Sequence, residues 1–142
     1  MSSHEETPLG LLIAHVYRLL LIRSNEGLRP FGVTVPQAQC LTILSERPGL
    51  SNVEMAAELN VTPQAVSIVQ RSLEDAGLVE RSRNSTDGRV LMTSLTDKGR
   101  KLFKRCDAAM RVSDNELLKV LPAADRRRIK KLLGALIESQ SG

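Results

Sequence analysis

Gln64, Ser67 and Arg71 recur at intervals of three and four, with Ile68 beside them. At about 100° per residue this spacing puts an amide, a hydroxyl and a guanidinium on one stripe of a helix. Those are the side chains that read base edges in a DNA major groove, where an apolar neighbour can meet a thymine methyl. A polar stripe on an isolated helix is ordinarily just a solvated face, so the surroundings decide. Val66, Val69, Leu73 and Ala76 form the opposite, packing side. Thr62 is a cap residue, Pro63 occupies a first-turn position that needs no N–H, and Gly77 can end the helix in the left-handed conformation.

The elements on either side give the stripe a setting. Thr34-Val35-Pro36-Gln37 reads as a capping box opening a helix that Pro48-Gly49 stops. Ser51-Asn52-Val53-Glu54 reads as a second box, opening a short helix to about Leu59, and Asn60-Val61 turns the chain towards Thr62. Two short helices joined by a tight turn, the second carrying an outward polar stripe, describe a helix-turn-helix. Val79, Arg81 and Arg83 then alternate with Glu80 and Ser82, and Val90, Met92 and Ser94 alternate with Leu91, Thr93 and Leu95, around Asp87-Gly88. Period-two patterning about such a dipeptide predicts a β-hairpin, the wing of a winged helix.

The chain ends read differently. The helix expected over about residues 8–29, after Thr7 and Pro8, is apolar almost all round, which in so short a chain calls for a partner subunit. A helix over about 97–120 carries a seam of Leu102, Cys106, Ala109/Met110, Ser113, Leu117 and Val120. A last one, opened by Pro122, carries Ile129, Leu132, Leu133, Leu136 and Ile137. The expected fold is mainly α with a small β-hairpin wing: a winged helix-turn-helix plus a helical dimerisation arm from both chain ends. The division is residues 1–33 for an N-terminal dimerisation helix, 34–96 for the DNA-binding domain and 97–142 for C-terminal dimerisation helices.

The 142 residues carry a net charge of +4, which favours a polyanionic partner. The excess is local. Between Val79 and Arg105 lie eight basic residues and three acids, the footprint of phosphate-backbone binding beside a helix-turn-helix. Arg126, Arg127, Arg128, Lys130 and Lys131 form a second cluster, read as a solvated helix face. One Tyr, two Phe and no Trp argue against single-stranded nucleic acid, which is gripped by stacking. The polar, acidic N-terminus does not read as a secretory leader, and the apolar run over 9–22 contains His15 and Arg18 and is too short for a bilayer. Two cysteines make neither a disulfide framework nor a zinc site, which fits a reducing cytoplasm. His4 and His15 have no ligand spacing with any acid or cysteine, and no nucleophile–base pair or phosphate loop occurs. No enzyme activity, metal or cofactor is expected.

The segments Val33-Thr34-Val35-Pro36-Gln37, Leu73-Glu74-Asp75-Ala76-Gly77-Leu78-Val79-Glu80-Arg81, Asp87-Gly88-Arg89 and Leu95-Thr96-Asp97-Lys98-Gly99 carry a family likeness. With the order of elements, the chain resembles the MarR family (multiple antibiotic resistance regulators) of bacterial transcription factors over nearly its whole length. The resemblance implies a triangular homodimer with two winged lobes. Each would place a recognition helix in one of two successive major grooves of a pseudo-palindromic operator. It implies a wing arginine in the flanking minor groove, here Arg89, braced by Asp87; a narrow minor groove attracts a guanidinium. The candidate DNA-binding set is Ser51, Thr62, Pro63, Gln64, Ser67, Ile68, Arg71, Arg81, Arg83, Asp87 and Arg89. Many members carry a basic residue where Ile68 stands and an acid where Arg71 stands, so base preference does not transfer. The last helix also has Leu121-Pro122 in place of a Ser or Thr cap.

The resemblance further implies a repressor released by a small-molecule effector held between lobe and arm, with His15, Tyr17, Cys40 and Met110 as candidate lining. Two alternatives stay open at this point: a cysteine-based redox sensor using Cys40 or Cys106, and a winged-helix protein-interaction module without DNA specificity.

Overall fold

The computed structural model describes residues 4–83 and 91–141. Its elements are α1 (Leu9–Leu28), a 3-10 turn (Arg29–Phe31), α2 (Val35–Glu46), α3 (Asn52–Leu59), α4 (Pro63–Asp75), β1 (Val79–Arg83), β2 (Leu91–Leu95), α5 (Asp97–Leu118) and α6 (Ala123–Glu138). The helix starts follow from their caps. Thr34 Oγ1 accepts from Gln37 N at 3.4 Å while Gln37 Oε1 accepts from Thr34 N at 2.8 Å, the full reciprocal box. At α3 only half of the expected box forms. Ser51 Oγ accepts from Glu54 N, but the Glu54 carboxylate accepts from the Ser51 hydroxyl at 3.0 Å instead of from the backbone N–H. Thr62 and Thr96 cap α4 and α5 through Ala65 N and Gly99 N. Helix α4 ends as the sequence predicts: Gly77 has φ +72°, its N–H bonds to Glu74 O, and Leu78 N–H bonds back to Leu73 O.

The winged lobe closes over Leu41, Leu44, Leu50, Met55, Val66, Leu73, Leu78, Val79 and Leu95. A second cluster, Leu28, Val35, Ala38 and Cys106, joins α1, α2 and α5, so lobe and arm are packed together. β1 and β2 pair antiparallel from Val79 opposite Leu95 to Arg83 opposite Leu91. The sequence gives no sign of a third rung, a bridge between Leu50 and Thr93 held by Thr93 N–Leu50 O and Gly49 N–Thr93 O hydrogen bonds.

Two packing expectations need correction. Ala76 is exposed because it is the C-cap of α4, where the chain is already leaving the core, and the buried position in its stead is Gln70. Val120 lies beyond the end of α5 and is 82% exposed, so the α5 seam stops short of it.

The two ends of the chain expose their apolar faces. Leu9, Ile13, Val16 and Ile22 of α1 and Leu132, Leu133, Leu136 and Ile137 of α6 all stand in solvent in the single chain, and α6 buries no residue. Between them runs a groove of about 430 Å³ walled by apolar side chains including Leu12, Leu20 and Ile129. Patches of this extent mark a contact surface. Among the described residues no helix is long and apolar enough to cross a membrane.

Candidate nucleic-acid interface

The turn between α3 and α4 is short because Asn60 takes the left-handed conformation (φ +54°), and Val61 N–H caps back onto Ala56 O. Asparagine tolerates that region better than other side chains. This places α4 across α3 with Val66, Gln70 and Leu73 inward. Gln64, Ile68 and Arg71 face outward and are exposed; Ile68 is 68% exposed, an apolar branch at the centre of a polar face. Thr62 and Pro63 lie at the exposed start of the helix, and Ser51 sits half-buried at the start of α3.

Ser67 shares this face but its hydroxyl is engaged. It donates to Pro63 O at 3.1 Å and accepts from Asn52 Nδ2 at 3.0 Å. Asn52 Oδ1 in turn accepts from Arg81 Nη2 at 3.0 Å, and Arg81 Nε lies 3.6 Å from Glu74 Oε2. Arg81, with its side chain 24% exposed, therefore fastens β1 to both helices. Asn52 and Glu74 are members of this network that the sequence reading missed, because neither carries a local signal for a partner 29 or 7 residues away. Other basic residues of the cluster are also tied down: Lys98 Nζ donates to Ala76 O at the end of α4, Arg100 pairs with Asp97, and Arg105 lies over the Phe31 ring at 4.8 Å. Arg100 holds the Asp97 carboxyl below its usual range. Arg83 ends β1 and is exposed. Asp87 and Arg89 fall outside the described residues.

The MarR family model matches residues 33–91, from just before α2 through α3, α4 and β1 to the first residue of β2. The HTH-type transcriptional repressor Rv2887 of Mycobacterium tuberculosis is 41% identical over 136 residues, spanning 96% of this chain and 98% of that protein. The chain belongs to the MarR family. The Rv2887 structure in complex with DNA superposes with a TM-score of 0.78 at 39% identity, over 92% of this chain and 98% of that one. The Rv2887 complex with salicylic acid gives a TM-score of 0.81 at 42% identity over 93% and 98%. Wild-type apo MarR from E. coli gives 0.84 at 28% identity over 93% and 98%.

In this MarR-family chain, two of the four candidate effector residues meet. Tyr17 and Met110 line a cleft of about 290 Å³ between α1, α2 and α5, together with Leu21, Gln39, Thr42, Asp107, Arg111 and Asp114. His15 is exposed and does not line this cleft, and Cys40 is buried in the lobe core. Arg111, which the sequence reading passed over, is the guanidinium of the cleft, and it donates to Asp107 at 2.8 Å. Burial raises the Asp114 carboxyl, with Lys130 and Arg111 opposing.

Both cysteines are buried. Burial pushes the Cys40 thiol up to about 11 and also raises Cys106, against a smaller lowering by Arg105. A thiol needs access and thiolate character to react. Neither cysteine should be labelled by a maleimide at pH 7.5 in the native protein, and both should be labelled in denaturant. Fast native labelling of either one would revive the redox-sensor alternative.

Proposed function

We propose that the chain is a cytoplasmic homodimeric repressor that binds a pseudo-palindromic double-stranded operator and is released by a small-molecule effector. The observation that carries this is the exposed Gln64–Ile68–Arg71 face of α4, held outward by a helix-turn-helix and followed by the basic stretch 79–105. Kinship supports it: Rv2887 is named a transcriptional repressor and has been solved with DNA. Residues 34–96 serve DNA, and residues 1–33 and 97–142 form the dimer arm. Gln64, Ile68 and Arg71 read bases, Ser51, Thr62, Pro63 and Arg83 lie along the backbone, and Ser67 and Arg81 hold the frame. Arg89 is assigned to the flanking minor groove on the family resemblance alone.

The test is binding to the DNA upstream of the gene at several salt concentrations. Phosphate contacts make affinity fall steeply with salt; affinity insensitive to both salt and sequence would leave a protein-interaction module. Gln64→Ala or Arg71→Ala is expected to weaken the specific site by roughly 1–3 kcal/mol while leaving nonspecific binding nearly intact. Equal losses on both DNAs would assign these residues to the phosphates.

Rv2887 is seen with salicylic and p-aminosalicylic acids. We place a small aromatic acid in the Tyr17–Met110 cleft, where its carboxylate would compete with Asp107 for Arg111. Salicylate should release the operator and the uncharged salicylamide should not; equal potency would remove Arg111 from the recognition.

A further inference from the structure

We propose that the winged lobe contains an internal ordered-water site, held by Gln70, Arg81 and Thr93, that sets the angle between the recognition helix and the wing. Gln70 is 0% exposed, and neither its amide nitrogen nor its carbonyl oxygen has a hydrogen-bond partner among the described residues. Thr93 is also 0% exposed with Oγ1 unpartnered, and Arg81 Nε is buried and lies beyond hydrogen-bond reach of Glu74. Native proteins rarely leave buried polar atoms unsatisfied, and where several converge an ordered water is the usual partner.

Their convergence follows from what Arg81 touches. Arg81 bridges Asn52, which holds Ser67, to Glu74. Ser67 and Glu74 stand two turns apart on α4, and Gln70 lies between them at i+3 and i−4, on the same stripe. The Arg81 guanidinium, tied at Asn52 and Glu74, therefore lies alongside the part of α4 that carries Gln70. Across the hairpin, Arg81 is the direct partner of Thr93, and both share the inward face with Val79 and Leu95. The four orphan atoms are thereby drawn towards one place, where α4 packs on β1 and Thr93 stands across the hairpin from Arg81. A water accepts N–H from Arg81 and from Gln70 and donates to Thr93 Oγ1, with its second proton or a neighbouring water serving the Gln70 carbonyl.

An apolar residue at position 70 would fill the same space with less constraint. The amide makes the site directional, so sliding or tilting α4 against the hairpin breaks its hydrogen bonds. Gln70 is therefore a positioning residue for the α4 face and the wing. This consequence rests on the DNA-binding reading; the water site itself does not.

The decisive measurement is a high-resolution crystal structure of the free full-length dimer, expected to show water within hydrogen-bond distance of Gln70 and Thr93. A double-mutant cycle on Gln70→Leu and Thr93→Val checks it in solution. Each single change strands the other's partners and should lower the folding equilibrium constant about tenfold, while the double variant should lose much less than the product of the two. Should the double variant fail to fold, the crystal structure alone decides. For the positioning role, Gln70→Leu should lower operator affinity about tenfold with binding to unrelated DNA unchanged, an effect a purely structural residue would not separate. A Gln70 side chain turned to solvent, a dry site, or strictly multiplicative effects would overturn the proposal. Water and coupling are read on the free protein, so they stand or fall independently of operator binding.

Discussion

Alanine in place of Gly99 is expected to destabilise the chain by about 3 kcal/mol, at the upper end for overpacking a core. Gly99 is in the first turn of α5 with ordinary helical geometry, so freedom of φ is not what it supplies. It supplies closeness: a Cβ there would run into the carbonyl of Leu78. Whether that matters depends on whether Leu78 can retreat, and its backbone is held on every side. Leu78 N–H closes the end of α4 onto Leu73 O, and Leu78 O accepts from Thr96 N at 3.1 Å. Thr96 Oγ1 donates to Gly77 O at 2.6 Å and accepts from Gly99 N at 3.0 Å, and Lys98 Nζ caps Ala76 O. The end of the recognition helix and the start of α5 are one locked joint. Gly27→Ala is the control, since its Cβ would meet Ser113 Oγ no closer than 3.4 Å. Chemical denaturation of both variants measures the difference. A Gly99→Ala protein as stable as Gly27→Ala would mean the joint has slack and that the glycine has no packing role.

That joint also shows what the sequence could and could not disclose. Leu73 to Arg81 and Leu95 to Gly99 stand out as separate motifs; that they bind each other is visible only in three dimensions. Local rules read well: Thr34 with Gln37, Thr62 with Pro63, and Gly77 are determined by backbone groups within three or four residues, and the structure has them in place. Periodicity also read well, but only as far as side-chain type allowed. It assigned an inward place to Ala76 for being apolar and overlooked Gln70 for being polar, although Gln70 is fully buried. Counting charge found the basic wing region but not that Lys98, Arg100 and Arg105 are partly spent on the fold, because their partners are an α4 carbonyl, a helix-start acid and a ring from the α1–α2 turn. The effector set fared the same way: Tyr17 and Met110 come together across 93 residues of sequence, His15 and Cys40 do not, and Arg111 had no pattern to betray it.

Leu133→Asp is expected to turn the protein into monomers at micromolar concentration and to abolish tight operator binding. Leu133 lies in the apolar wall shared with Leu9, Ile13 and Val16, still 43% exposed in the single chain. Burying a leucine contributes about 1.5–3 kcal/mol, and stranding an unpaired carboxylate in its place costs a few kcal/mol more. In a two-fold dimer each change is made twice. A total near 6 kcal/mol or above raises the dimer dissociation constant by more than about 10⁴. The fold of each chain should survive, because α6 buries no residue of its own protomer. The effect on DNA is then separable from unfolding. Two-fold symmetry sets two α4 faces about one helical turn apart, roughly 34 Å, and the second face binds at the high effective concentration that the first provides. Losing it should weaken the operator by about 10²–10⁴ while a single half-site is bound as before. Sedimentation and operator titration on the same samples measure both. A variant that stays dimeric at nanomolar concentration would move the interface elsewhere. A monomer with undiminished operator affinity would show that one Gln64–Arg71 face is sufficient and that the arm serves some other purpose.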